Sequence, residues 1–344
     1  MRKRLLSLVS LVLVCLMLAA CGSSTTTPST APESTAPEST APESTAPTAT
    51  TDWPTKPLTV IVAAGAGGDT DLNTRIFCKY LEKELGQTVV VSNIKGISVA
   101  LPEIKDAAAD GYTFGIYHPG MFVSSALGTI DFDYTAFDIL NIVAEDAQSG
   151  WFVAKDAPYQ TLDELVAAAK EQPISFATEV GSVSHLTMFN FMQLAPDTQF
   201  NIVDAGGSAD KITALLGGQL NVMYNQVGLV KDYLANGDFT CLGIMAAERS
   251  EVNPDIPTFK EQGYDMDFSK PYFAFFPKGV DQAIVDKMNA AIDNVLANAD
   301  YAAELADTMQ TVPGKYTHDE ALDYLATIND QYISLIQEFQ ASQK

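Results

Sequence analysis

Histidine, tryptophan and cysteine are scarce: the chain of 344 residues has three, two and four of them. Cys15 and Cys21 fall in an N-terminal apolar segment, which leaves Cys78 and Cys241 for the fold. One sits in a predicted early helix and the other in a predicted strand far along the chain, so two buried free thiols are expected rather than a disulfide. His118, His185 and His318 show no close ligand spacing, and a metal site is not supported. Positive charge is also short, with 20 Lys and Arg against 43 Asp and Glu, a net charge of −23. Such a surface argues against a nucleic-acid partner. It also repels highly charged anions, weakly, because salt screens the field beyond about 8–10 Å.

Long apolar runs are missing except at the start. Arg2, Lys3 and Arg4 precede the run Leu5 to Met17, which is too short to span a bilayer. Leu18-Ala19-Ala20-Cys21 closes it as a secretory signal closes, and the cysteine makes the segment resemble a bacterial lipobox. Residues 1–21 are therefore expected to be a lipoprotein signal with Cys21 the lipidated residue. Acyl chains would contribute about 0.8 kcal/mol per buried CH₂ and hold the protein at the extracytoplasmic face of the bacterial membrane. Residues 22–52 carry three copies of Ser-Thr-Ala-Pro-Glu and have no apolar side chain larger than alanine or proline. They read as a disordered tether, able to extend to about 90 Å at roughly 3.1 Å per residue.

From Trp53 onward about 290 residues remain, enough for two cores. The organising stretch is Leu58 to Arg75: a short apolar strand, a turn with Gly65, Gly67 and Gly68, then an amphipathic helix from Leu72 to Leu85. Asp69, Thr70 and Asp71 are each plausible N-caps. The turn presents main-chain N–H groups at the positive end of a helix dipole, which suits a carboxylate. A P-loop needs Gly-Lys-Ser/Thr where this chain has Gly68-Asp69-Thr70, and a dinucleotide fingerprint needs glycine at position 70. Neither NAD nor ATP is expected, and no cofactor is assigned. A tight turn without a ligand is the bland alternative.

Strands and helices then alternate, the pattern of a mainly parallel sheet flanked by helices. Strands are predicted at 88–92, 112–117, 139–144 and 151–154, with a helix at about 101–108. Thr161 and Glu164 form a capping box opening a helix over 162–170. Two further Gly/Ser-rich loops follow strands 174–177 and 201–203, one spanning Glu179 to His185 and the other Asp204 to Asp210. Each lies at a strand's carboxyl end, where open α/β sheets bind ligands. Tyr272 to Phe276 is an aromatic run suited to crossing back, and helices 281–299 and 317–339 return to the first lobe.

The order of motifs resembles the periplasmic or extracellular substrate-binding proteins of tripartite tricarboxylate transporters. It rests on Trp53-Pro54-Thr55-Lys56-Pro57-Leu58, Gly67-Gly68-Asp69-Thr70-Asp71 with Arg75, and Leu85-Gly86-Gln87-Thr88-Val89-Val90-Val91. Asp110-Gly111-Tyr112-Thr113, Gly181-Ser182 with His185-Leu186, Leu215-Leu216-Gly217-Gly218-Gln219-Leu220 and Pro257-Thr258-Phe259 complete it, so that it runs from Trp53 to about Leu296. The resemblance implies a two-lobed α/β fold of the periplasmic-binding-protein (Venus flytrap) kind. Lobe 1 would be residues 53–153 and 276–344, and lobe 2 residues 154–275. It further implies a monomeric receptor that delivers a small organic acid to membrane transporter subunits. Carried over by position, the ligand-binding residues are Ala66, Gly67, Gly68, Asp69, Thr70 and Asp71; Tyr117, His118, Pro119 and Gly120; Gly181, Ser182, Val183, Ser184 and His185; Ala205, Gly206, Gly207 and Ser208; and Asn225. The chain departs from the family where it has Ala63-Ala64 instead of Pro-Phe, Asp69 instead of a third glycine, and Ala205-Gly206 instead of Tyr-Lys. The last change removes an aromatic ring and a cation, which enlarges the pocket and weakens a distal anion contact.

Single residues carry competing readings. Asp71 is either a cap or a ligand contact, and the cap is favoured; Arg75 is expected to pair with it at i,i+4. His118 is a contact or a support, and Asn225 a ligand contact or a turn residue. Tyr272 and Phe273 fit hinge core. Ser184 and His185 tempt a hydrolase reading, but adjacent residues rarely meet as nucleophile and base, and no G-x-S-x-G elbow exists. The remaining alternative is a surface sensor without transport.

Overall fold

The computed structural model describes residues 52–342, which belong to one packed unit. The predicted signal, Cys21 and the tether lie outside the described residues. The chain opens with β1 (Leu58–Val62), α1 (Asp69–Leu85), β2 (Val89–Asn93), α2 (Ile97–Lys105), β3 (Thr113–Tyr117), α3 (Gly120–Ala126) and β4 (Phe137–Asp146). It crosses into β5 (Ser149–Ala154), α4 (Leu162–Glu171), β6 (Ile174–Thr178), α5 (Val183–Leu194), β7 (Phe200–Asp204), α6 (Ser208–Leu216), β8 (Val222–Gln226), α7 (Val227–Ala235) and β9 (Phe239–Ile244). It returns through β10 (Lys270–Pro277), α8 (Gln282–Leu296), α9 (Ala299–Met309), β11 (Val312–Pro313) and α10 (His318–Ser342).

Two sheets result, with strand orders β11-β4-β10-β3-β1-β2 and β7-β6-β8-β5-β9. The βα units pair in parallel, β1 with β2 and β3, and β6 with β7 and β8. The strands that carry the chain between lobes enter antiparallel: β5 between β8 and β9, and β10 between β3 and β4. Their sheet membership moves the expected lobe boundaries. Trp151 to Ala154 pair in the second sheet, and Lys270 to Phe275 in the first, so the crossings fall just after Asp146 and just before Lys270. Beyond their first residues both strands are apolar and carry no mark of which sheet covers them. Every residue of β10 is buried, as a strand covered on both faces requires.

Local signals account for the helix ends. Thr161 accepts the Glu164 N–H while Glu164 reaches back to the Thr161 N–H, the expected capping box. Several helices differ from expectation: α1 and α2 begin three or four residues early, and α9 was not foreseen. α3 begins at Gly120, directly behind His118-Pro119, a segment expected to be loop. α5 begins at Val183 and α6 at Ser208, each inside a predicted glycine loop, so those loops are shorter than they read.

Trp151 anchors the second lobe. It is fully buried and meets Phe176, Phe191 and Phe259 edge-on at centroid distances of 4.8, 4.6 and 5.2 Å. α10 straps the lobes together: it packs on α3 and β4 of the first lobe and on α5 of the second. Phe339 of α10 stacks on Phe189 of α5 at 3.8 Å. On the hinge side, a Cβ at Gly228 in α7 would fall 1.8 Å from the Met309 carbonyl oxygen, a backbone approach that only glycine permits. Cys78 in α1 and Cys241 in β9 are free thiols in different lobes.

Candidate functional site

Three helices begin at the cleft between the lobes. α1 comes from the first lobe, α5 and α6 from the second, with Gly68, Ser182 and Gly207 as their N-cap residues. None of the three caps makes a side-chain bond to the helix. The residue before each cap is a glycine at positive φ: Gly67 at 77°, Gly181 at 83° and Gly206 at 79°. That conformation lets the chain leave its strand and turn at once into the helix. The first turns line the cleft with Asp69, Thr70, Val183, Ser184, Ser208 and Ala209. First-turn amides have no intrahelical acceptor, so three positive helix ends converge on one space.

Asp69 joins the lobes. Its carboxylate accepts from Lys270 Nζ at 2.5 Å, Tyr272 Oη at 2.7 Å and Ser208 Oγ of the opposite lobe at 2.7 Å. Burial alone would raise its pKa. The Lys270 charge, the neighbouring His118 and the hydrogen bonds from Lys270 and Ser208 together outweigh burial and hold Asp69 well below the usual carboxylate range. Lys270 also stands 3.6 Å from Asp146 at the end of β4. Further cross-lobe contacts are Ser124 Oγ to the Gly181 carbonyl at 2.7 Å and Lys95 to Asp210 at 3.0 Å.

Lys211, at the fourth position of α6, lines the same cleft and is 5% exposed. Its ammonium makes no ion pair and donates no hydrogen bond among the described residues; it lies 5.5 Å from the Tyr224 ring centroid. Burial drops its pKa from the usual 10.5 to about 8, although Asp69 and Glu179 pull the other way. His118 accepts the Gly120 N–H at Nδ1 (3.0 Å), so its ring proton sits on Nε2. Burial, then the Lys270 charge, lowers the pKa of this ring to about 3 and keeps it neutral. The site therefore combines a buried free ammonium, a neutral N–H donor and three helix N-termini. It is chemically a receptacle for an anion.

The structure gathers Ala66, Gly68, Asp69, Thr70, Tyr117, His118, Ser182, Val183, Ser184, Gly207 and Ser208 around this space. The other expected residues sit behind it. Gly68, not Asp71, occupies the N-cap of α1. Asp71 instead accepts the Gly67 N–H at 2.8 Å, Asn93 at 2.9 Å and Arg75 at 2.9 Å, which consumes both its oxygens and the Gly67 donor. Pro119 caps α3, and Gly120 packs under the His118 ring. Gly181 is spent on the Ser124 contact. His185 turns into the core, its ring 4.1 Å from that of Phe189. Ser184 bonds Thr178 at 2.6 Å and Ser182 at 2.7 Å, so it forms no dyad with His185. Ala205 and Gly206 face neighbouring recesses. Asn225 donates to the Ser208 carbonyl at 3.1 Å and so supports the start of α6 from behind.

A family model described as the tripartite tricarboxylate transporter family receptor matches residues 74–340. The chain belongs to this receptor family. The match extends beyond Leu296 to take in most of α10, while the first glycine loop precedes it. Among relatives of the receptor, protein BugT of Bordetella pertussis is 27% identical over 301 residues, covering 85% of this chain and 92% of BugT. A UPF0065 protein of the gbd 5′ region in Cupriavidus necator is 29% identical over 262 residues, covering 74% of this chain and 79% of that protein. MatC of Rhodopseudomonas palustris, solved with bound malate, aligns with a TM-score of 0.75 at 26% identity, over 83% of this chain and 99% of MatC. Rpa4515 of R. palustris, solved with adipate, shares the fold with a TM-score of 0.78 at 23% identity, over 84% and 99% of the two chains. The two-lobed α/β fold of periplasmic binding proteins is thus this receptor's fold.

Apart from Asp69, sequence reasoning missed the receptor's charged groups in the cleft. Lys211, Lys270, Glu179, Lys95 and Asp210 all line it. Two had a visible signal: Lys270 is the one charge heading the apolar run Lys270-Pro271-Tyr272-Phe273, and Lys211 lies one helical turn past Ser208. Lys211 also supplies a cation near the place where Ala205-Gly206 had suggested one was lost.

Proposed function

We propose that this receptor captures a small organic acid between its lobes, closes over it, and presents the closed form to membrane subunits of a tripartite tricarboxylate transporter. The observation that carries the reading is Lys211: a buried lysine whose ammonium has no ion pair or hydrogen bond among the described residues, beside three helix N-termini. A carboxylate at that point would take a charge-assisted hydrogen bond from Lys211 and donors from the first turns of α1, α5 and α6. Because both lobes contribute, such a ligand favours the closed state by the contacts it makes only there. The malate of MatC, a small dicarboxylate in a related fold, supports this ligand class. Lipidation of Cys21 and the tether of residues 22–52 would hold a monomeric receptor at the extracytoplasmic face, within reach of the transporter.

The test is a thermal-shift screen of the full chain, purified in mild detergent, against mono-, di- and tricarboxylates, amino acids and neutral aromatics. A ligand at a hundred times its Kd should stabilise by about 2.7 kcal/mol. Hits among acids that vanish in Lys211→Met support the reading. Hits confined to neutral compounds refute the acid ligand.

A further inference from the structure

The cleft holds a negative group that a carboxylate ligand alone leaves unmatched. Glu179, the residue following β6, lines both the central space and an adjoining recess, where Asp204 and Asp210 stand with Lys95. Lys95 is already engaged by Asp210 at 3.0 Å. The Glu179 carboxylate accepts no ion pair or hydrogen bond among the described residues. Asp69 and Lys270 neutralise each other at 2.5 Å. What remains in the cleft wall is one cation, Lys211, and one anion, Glu179, both from the second lobe and neither in an ion pair or hydrogen bond among the described residues, although each feels the other's charge. A dicarboxylate or tricarboxylate would set like charge against Glu179 and meet two more carboxylates at the recess. A neutral solute would leave both groups desolvated with no direct counter-ion, only each other's more distant charge, which is costly.

We propose that the solute is a zwitterion, an amino-bearing carboxylate. Lys211 and the helix N-termini take its carboxylate, and Glu179 takes its protonated amine. This rests on the receptor reading above and narrows its ligand class. Burial, together with Asp204, Asp69 and Asp210, pushes the Glu179 pKa up against the pull of Lys211, so an ammonium neighbour relieves a field the protein alone does not balance. The rival arrangement is a protonated Glu179 donating to a second ligand carboxylate. The two differ in what glutamine does at this position, since an amide can replace a neutral acid as donor but not a carboxylate as counter-ion.

The experiment is calorimetric titration of the full chain in mild detergent with the proteinogenic amino acids, each beside its des-amino acid, for example L-glutamate beside glutarate and L-phenylalanine beside 3-phenylpropionate. Succinate, malate and citrate complete the panel. At least one amino acid should bind about 10- to 100-fold more tightly than its des-amino counterpart, as one charge-assisted bond predicts. Glu179→Gln, whose folding is checked by its melting curve, should erase that preference. Lys211→Met should weaken both members of the pair. Binding of des-amino acids alone, or an amino-acid preference that survives Glu179→Gln, overturns the zwitterion while leaving the receptor for organic acids standing. A folded chain that binds no acid of either kind overturns both.

Discussion

Replacing Lys211 by methionine removes a buried charge and keeps most of the side chain's bulk. In the native protein the ammonium is 5% exposed, and its pKa falls from 10.5 to about 8 because burial outweighs Asp69 and Glu179, with Lys270 adding repulsion. A change of that size disfavours the charged form by about 3 kcal/mol. Lys211→Met should therefore stabilise the unliganded fold by up to about 3 kcal/mol. It should also remove a hydrogen bond to the ligand carboxylate worth about 1.5–3 kcal/mol, weakening binding about 10- to 150-fold. The pH dependence follows from the depressed folded pKa. Below about 8 the folded state bears the full cost of the charge. From there towards 10.5 the folded protein binds fewer protons than the unfolded chain, so the native protein gains stability relative to the variant as pH rises. Ligand binding runs the other way. A bound carboxylate raises the Lys211 pKa, binding above pH 8 takes up a proton, and native affinity falls by up to about tenfold per pH unit while the variant stays flat. Urea unfolding and calorimetric titration of both proteins, from about pH 6.5 to 9.5, read all three effects. A variant that binds as tightly as the native protein, or unfolds in less urea, refutes the argument.

Asp69→Asn should cost about 3–5 kcal/mol, since it leaves Lys270 buried with only Asp146 at 3.6 Å. Because the Asp69 pKa is depressed, that contribution is present above the usual carboxylate range and lost as pH falls below about 4, so the stability gap between the two proteins in urea titrations should shrink there. Gly68→Leu places a side chain towards Ser208 of the opposite lobe, 3.9 Å from an ideal Cβ. It should hold the lobes apart, seen as a larger radius of gyration by X-ray scattering and loss of binding with the fold kept; a closed, binding-competent variant would count against the cleft. Gly228→Ala must displace the Met309 backbone and should lower the melting temperature, with about 1–3 kcal/mol lost. An unchanged melt would mean that α7 and α9 separate at little cost.

The α/β plan and the three glycine turns at the cleft were legible because glycine marks them. Gly67-Gly68, Gly181-Ser182 and Gly206-Gly207 each follow an apolar strand, and each proves to be a positive-φ residue followed by a helix cap. The expectation that Asp71 caps α1 failed for a related reason: with Gly68 already in the extended cap conformation, the acid one turn in is free to hold the loop by its Gly67 N–H. The charges were illegible. Lys211 sits on an ordinary-looking amphipathic helix, and nothing local shows that its neighbours leave its ammonium without a partner. The Asp69–Lys270 pair spans 201 positions of sequence, and its meaning exists only once β10 is threaded between β3 and β4.

Lys270 stands at the point where the chain re-enters the first lobe, and Asp146 at the point where it leaves. The side chain that steadies the cleft through Asp69 is thus seated on the pivot itself. Its surroundings are dry, with side-chain exposure of 3% for Lys270 and 8% for Asp69, whereas Lys95 and Asp210 at the rim stand 68% and 44% exposed. Ions in solution reach the rim pair and not the buried one. Changing ionic strength should therefore loosen the rim pair, which also crosses the cleft, while leaving the Asp69–Lys270 anchor almost untouched. Salt acts on such a receptor at the lip of its cleft and not at its pivot.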